Sequence, residues 1–142
     1  MKSIHILLIE DNEGDILLTT EAFENSKFLN EISVMRDGKV AIDFFGKIIR
    51  AEEIPDLILL DINLPKKNGH QVLQFIKESD QYNHLPVIML TTSSSEADIH
   101  SAYKHHANCY ITKPIDISEF MIVISKIEDF WTNIVSMPSK QC

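Results

Sequence analysis

Four short apolar runs in this 142-residue chain stop at side chains able to do chemistry. IHILLI is followed by Glu10 and Asp11, LILL by Asp61, VIML by Thr91 and Thr92, and CYIT by Lys113. A buried Asp is rare unless it is paired or bound to a metal. An aliphatic run that ends on a carboxylate therefore reaches either water or a partner. If the runs are parallel strands, three carboxylates, a hydroxyl and an ammonium share one edge of a sheet. Three like charges so close repel one another, and the site requires a cation. Oxygen-only donors indicate a hard ion. Few carboxylates, with room left for water and a phosphate, suit Mg²⁺ better than Ca²⁺. The segment DNEGD, Asp11–Asp15, superficially resembles a calcium loop but lacks its ligand spacing and distal bidentate Glu.

Taken singly, each of these residues has an ordinary reading. Glu10 and Asp11 read as solvated turn residues, Asn63, Pro65 and Gly69 as loop punctuation, Thr91 as a β-former, Lys113 as a surface charge and Tyr110 as a core ring. Their coincidence at successive strand ends favours one shared site. His100, His105 and His106 are different: no pair lies one turn apart on one helix face, so neither metal binding nor a phosphohistidine role is expected of them.

The elements that must position these groups are legible as five apolar runs, Ile4–Ile9, Ile32–Met35, Leu57–Leu60, Val87–Leu90 and Cys109–Thr112, separated by helical spacings. The first helix follows Asp15 as a candidate N-cap, with Ile16, Leu17 and Phe23 on its apolar side. The second opens at Gly38, the third follows Gly69, the fourth follows SSSE, and the last runs from about Ile117 to Val135. Such βα alternation implies a mostly parallel sheet with helices on both faces. Ligands in such sheets bind beyond the carboxyl ends of the strands.

Composition narrows the function classes. A length of 142 residues suits one domain, expected over 1–136 with a short frayed tail at 137–142 and no output domain. A net charge of −8, with no basic run longer than Lys66-Lys67, argues against a nucleic-acid partner. The N-terminal apolar run is too short for a secretory signal or a membrane span. Two cysteines without metal-ligand spacing suggest a reduced, cytoplasmic protein.

LLIEDN, LLDINLPKKNG, PVIMLTTS and CYITKP, in this order and at these intervals, resemble the receiver domain of two-component response regulators over roughly Ile4 to Phe130. The resemblance implies a flavodoxin-like, doubly wound, five-stranded parallel sheet of order 2-1-3-4-5. It implies that Asp61 is the phosphate acceptor. Mg²⁺ would be held by the carboxylates of Asp11 and Asp61, the main-chain carbonyl of Asn63 and, through water, Glu10. Thr91 would donate its hydroxyl to a phosphoryl oxygen, Lys113 would pair with Asp61 before transfer and with the phosphate after it, and Tyr110 would be the aromatic switch residue. The Lys113–Pro114 bond would be cis. The phosphodonor would be a sensor histidine kinase, and the downstream protein is unspecified. The resemblance makes the chain a phosphoacceptor that supports its own Mg²⁺-dependent phosphorylation and dephosphorylation, and not an enzyme with turnover.

Thr92 stands where many receivers carry a smaller residue, on the path to the phosphoryl group. Neither Asn63 nor Ser93 is a strong base, so a long-lived acyl phosphate is expected. The last helix carries two apolar stripes, one through Phe120, Val123, Ile127, Phe130 and Ile134, the other through Ile117, Met121, Ile124, Trp131 and Val135. Together they are wider than one core contact needs, which leaves open a homodimer or docking face beside full burial against the sheet and a neighbouring helix. Other readings are a phosphorelay carrier or phosphate sink, and more remotely a phosphoaspartate-type hydrolase. The hydrolase reading lacks a second Asp two residues after Asp61 and a cap insertion. A small-molecule binding module is weaker still, because no Gly-rich loop follows the first run.

Overall fold

Each of the five apolar runs is a strand in the computed structural model, which describes residues 3–25, 30–113 and 117–129. The side chains of the last helix are described at positions 118, 119, 121, 122, 125, 126 and 129. The elements are β1 (Ile4–Ile9), α1 (Glu13–Glu24), β2 (Asn30–Met35), α2 (Gly38–Gly46), a 3₁₀ turn (Ala51–Glu53), β3 (Leu57–Leu60), α3 (Gly69–Glu78), β4 (Val87–Thr91), α4 (Glu96–Lys104), β5 (Cys109–Thr112) and α5 (Ile117–Asp129). All strand pairs are parallel, in the order β2-β1-β3-β4-β5.

Residues of the three central strands alternate between two apolar layers. Leu7, Ile9, Ile58, Leu60, Val87 and Met89 pack with Ala41, Phe45, Leu73 and Ala102 of α2, α3 and α4. Ile6, Leu8, Leu57, Leu59, Ile88 and Leu90 pack with Ile16 and Phe23 of α1, and Met121 of α5 lies against them. Both faces being covered, Ile6–Ile9 of β1, Leu57–Leu60 of β3 and Val87–Leu90 of β4 are unbroken apolar runs.

Three boundaries differ from the sequence expectation. β2 begins at Asn30, paired with Ile4, and β4 continues through Thr91, paired with Thr112. Pairing extends past the apolar residues because the ladder bonds are made by the main chain. α1 begins at Glu13 and its N-cap is Asn12, not Asp15: the Asn12 side chain accepts from the Asp15 N–H at 2.9 Å. The last helix is described to Asp129, so its expected continuation to Val135 lies outside the described residues, as does the cis Lys113–Pro114 bond. Of the two stripes on that helix, only the Met121 side chain falls within the described set.

Leu57 to Leu60 are fully buried. At about 2 kcal/mol for each fully buried aliphatic side chain, β3 gains roughly 8 kcal/mol. Holding a partnered carboxylate out of water costs several kcal/mol. The aliphatics thus decide the register, and Asp61 is carried with them to the sheet edge.

Two glycines fix the loop that follows. A Cβ on Gly69 would lie 2.1 Å from the Asp61 carbonyl oxygen, and one on Gly38 would lie 1.8 Å from that of Lys67. The Gly69 N–H donates to the Ile62 carbonyl at 2.8 Å and the Gly38 N–H to that of Pro65 at 3.3 Å. The first turns of α3 and α2 therefore clamp the chain leaving β3 by direct backbone approach.

A lysine performs a purely architectural task on the other rim. Lys77 Nζ donates to the carbonyls of Leu85 at 2.8 Å and Asn83 at 3.2 Å and to Asn108 Oδ1 at 3.1 Å, and burial lowers its pKa. Asn108 Oδ1 also accepts from the Val87 N–H at 2.9 Å. The ammonium thereby joins α3 to the chain on both sides of β4. Lys77→Met, which keeps the stem and removes the donors, is expected to cost about 1–2 kcal/mol in urea unfolding with an unchanged m value. Among the described residues, no helix is long and apolar enough to cross a membrane.

Candidate functional site

The parallel register brings the chemical groups to one level. Leu60 pairs with both Ile9 and Met89, and Thr91 pairs with Thr112. Glu10 and Asp61 are each the next residue after paired positions, and Lys113 follows Thr112. Main-chain bonds continue the ladder: Asp61 N–H to the Ile9 carbonyl at 3.0 Å, Glu10 N–H to that of Met35 at 3.0 Å, Lys113 N–H to that of Thr91 at 2.7 Å. Glu10, Asp61, Thr91 and Lys113 are all buried.

Lys113 is the centre of this group. Its ammonium donates to Glu10 Oε1, to Asp15 Oδ2 at 3.0 Å and to Asp61 Oδ2 at 3.4 Å. Asp61 Oδ1 accepts from the Ile62 N–H at 2.7 Å. Burial first, and then the Asp61 carboxylate beside it, push the Glu10 carboxyl up to about 7 against the pull of Lys113. Burial also acts to raise Asp61, but the hydrogen bonds of Glu10 and Thr91, the Lys113 charge and the Ile62 N–H outweigh it and hold Asp61 below its usual value. Burial beside Asp61 thus favours the protonated form of Glu10, while the partners of Asp61 favour its ionised form. Burial acts to lower the Lys113 pKa, but its carboxylate partners prevail and raise it.

Asp11, Asn63 and Thr92 are exposed at the same edge. Among the described residues, no three acidic, His or Cys side chains are gathered into a metal-ligand cluster. What meets Glu10 and Asp61 is the Lys113 ammonium. The donor chemistry nonetheless fits a hard divalent ion. Two buried carboxylates, with that of Asp11 exposed at the same edge, make an all-oxygen donor set of the kind such an ion takes.

Sequence reasoning missed a second chain of contacts beside the site. The half-buried Tyr110 donates its hydroxyl to the Ser93 carbonyl at 2.8 Å, and Ser93 Oγ donates to Asp98 Oδ2 at 2.6 Å. His70 Nε2 lies 2.9 Å from Asp98 Oδ1, while its Nδ1 is buried without a hydrogen-bond partner. This places the donor proton on Nε2. The Ser93 bond and then the His70 bond hold Asp98 below its usual pKa. Tyr110 is thereby connected to the first turns of α4 and α3. The run SSSEAD could have suggested part of this, since Ser95 caps α4 by accepting from the Asp98 N–H at 3.0 Å. Nothing local could have suggested His70. Of the other histidines, His100 and His106 are exposed and His105 Nδ1 meets the Ser101 carbonyl at 2.9 Å, closing the end of α4.

Comparison with known proteins gives a consistent result. The model of the response regulator receiver domain matches residues 6–125. The chain is 39% identical over 136 residues to the response regulator Rcp1 of Synechocystis sp., covering 94% of this chain and 92% of Rcp1. It superposes with a TM-score of 0.87 on the crystal structure of the phosphorylated cyanobacterial phytochrome response regulator RcpA, at 40% identity, covering 97% of this chain and all (100%) of that one. The Mn²⁺-bound form of Rcp1 gives a TM-score of 0.86 at 38% identity, covering 96% of this chain and 99% of that one.

Proposed function

The chain belongs to the response regulator receiver family, and from that premise we propose that it is a single-domain switch phosphorylated on Asp61 by a sensor histidine kinase. The observation that carries the reading is a buried carboxylate at a strand end, faced by a buried ammonium and a hydroxyl. The partners of Asp61 hold its carboxyl below the usual value, whereas burial pushes that of Glu10 up.

The reaction follows from those groups. An Asp61 oxygen attacks the phosphorus of the kinase phosphohistidine in line. The P–N bond breaks with its electron pair returning to the imidazole, and an acyl phosphate forms. Lys113 and Thr91 offset charge on the equatorial oxygens and hold the geometry. Mg²⁺, held by Asp11, Asp61, the Asn63 carbonyl and, through water, Glu10, would supply further neutralisation of the phosphoryl oxygens. In the modified protein Thr91 shifts toward the phosphate, and Tyr110 gives up the Ser93 carbonyl and turns inward. The surface formed by α4, β5 and α5 is thereby remodelled, and a downstream protein responds to the extent that it binds the two forms with different affinity.

Incubation with acetyl phosphate and Mg²⁺, borohydride reduction of the acyl phosphate and peptide mass spectrometry are expected to locate the modification at Asp61. An unmodified chain, or a label elsewhere, would overturn the reading. The first kinase to test is a phytochrome kinase, because RcpA is a phytochrome response regulator.

A further inference from the structure

Asp15 belongs to none of the motifs that define the site, yet its carboxylate reaches the central cation. Lys113 Nζ lies 3.0 Å from Asp15 Oδ2 and 3.4 Å from Asp61 Oδ2. The Lys113 side chain is 4% exposed and that of Asp15 32%. Asp15 is held from below: its N–H is tied to the Asn12 side chain in the first turn of α1. A helix N-terminus favours a carboxylate at such a position.

An ammonium has three N–H donors. Glu10 and Asp15 take the two closer contacts, and the pair with Asp61 is the longest of the three. Only an interaction stronger in the transition state than in the resting state accelerates a reaction. A lysine collapsed onto Asp61 would stabilise the nucleophile before reaction. A lysine held back gives Asp61 only its longest contact, which the incoming phosphoryl oxygens can take over.

We propose that Asp15 is a positioning residue for phosphoryl transfer, anchoring the Lys113 ammonium at a stand-off from Asp61 so that its strongest contact is made with the phosphoryl group. The inference rests on the reading of Asp61 as phosphoacceptor. Asp15→Asn removes the anchoring charge with almost no change of shape. Phosphorylation by acetyl phosphate is followed across a Mg²⁺ titration in the wild type, Asp15→Asn and Asp15→Glu, with urea unfolding of each.

The maximal rate of Asp15→Asn at saturating Mg²⁺ is expected to fall about five-fold, the size appropriate to a partly exposed ion pair. The apparent Mg²⁺ affinity is expected to stay within about two-fold. Asp15→Glu, which keeps the charge, is expected to recover part of the rate. An unchanged maximal rate in Asp15→Asn, or a loss confined to Mg²⁺ affinity or to the unfolding midpoint, overturns this role for Asp15 alone. A wild type that takes no phosphate at Asp61 overturns the functional reading and this inference with it.

Discussion

Asp61→Asn is expected to lower phosphoryl incorporation by more than about a hundred-fold, because an amide oxygen is no nucleophile toward phosphorus at neutral pH. The substitution should leave the fold intact. The amide is nearly isosteric, and its oxygen can still accept the Ile62 N–H now bound by Asp61 Oδ1. The electrostatic consequence has the opposite sign from the chemical one. Glu10 loses the carboxylate that helps to keep it protonated, ionises, and pairs with Lys113 as a simple ion pair. Urea unfolding at pH 7 without metal is therefore expected to show a variant as stable as the wild type or up to about 1 kcal/mol more so. Incorporation equal to that of the wild type would show that another residue accepts the phosphate. Loss of incorporation with loss of fold would remove the test's meaning, so the two measurements belong together.

The metal-free protein is expected to become more stable as pH falls from about 7 to about 5, the reverse of ordinary acid behaviour. Burial pushes the Glu10 carboxyl up to about 7 in the fold from its ordinary value of 4.5. Between those values the native state holds a proton that the unfolded chain has released, so native stability rises as pH falls. A shift of this size corresponds to roughly 2–3 kcal/mol across the window, at 1.36 kcal/mol per pKa unit and allowing for the neighbouring Asp61. Asp61 has the opposite sign. Its depressed pKa contributes stability that is present above the ordinary value of 3.8 and is lost as pH falls through the folded value. Ordinary acid unfolding takes over there. Chelator-treated protein unfolded in urea from pH 4.5 to 7.5 checks this, with Glu10→Gln as the control expected to flatten the slope. A wild-type curve that is flat or rises with pH would refute the raised pKa of Glu10.

The strands and the principal site were legible because both obey simple rules. Short apolar runs separated by helical spacings mark strands, and β1, β3 and β5 begin and end where those runs do. Asp61, Glu10, Thr91 and Lys113 were visible as interruptions at the ends of such runs. The residues that escaped notice make contacts across long stretches of chain. Asp15 reads as a local helix cap, and its partner Lys113 lies 98 residues away. His70 reads as a polar residue in a helix start, and its partner Asp98 lies 28 residues away. Spacing patterns report which face of an element is buried. They carry no information about which polar side chains meet once the elements are stacked.

The alternation of β1, β3 and β4 between two apolar layers has a consequence for how such a chain can vary. Phe23 of α1 and Phe45 of α2 belong to separate layers with the sheet between them. Substitutions far apart without shared partners add in their effects. The two sides can therefore be rebuilt one at a time, by natural divergence or in a combinatorial library, while the wall of strands keeps the carboxylate edge in place for both.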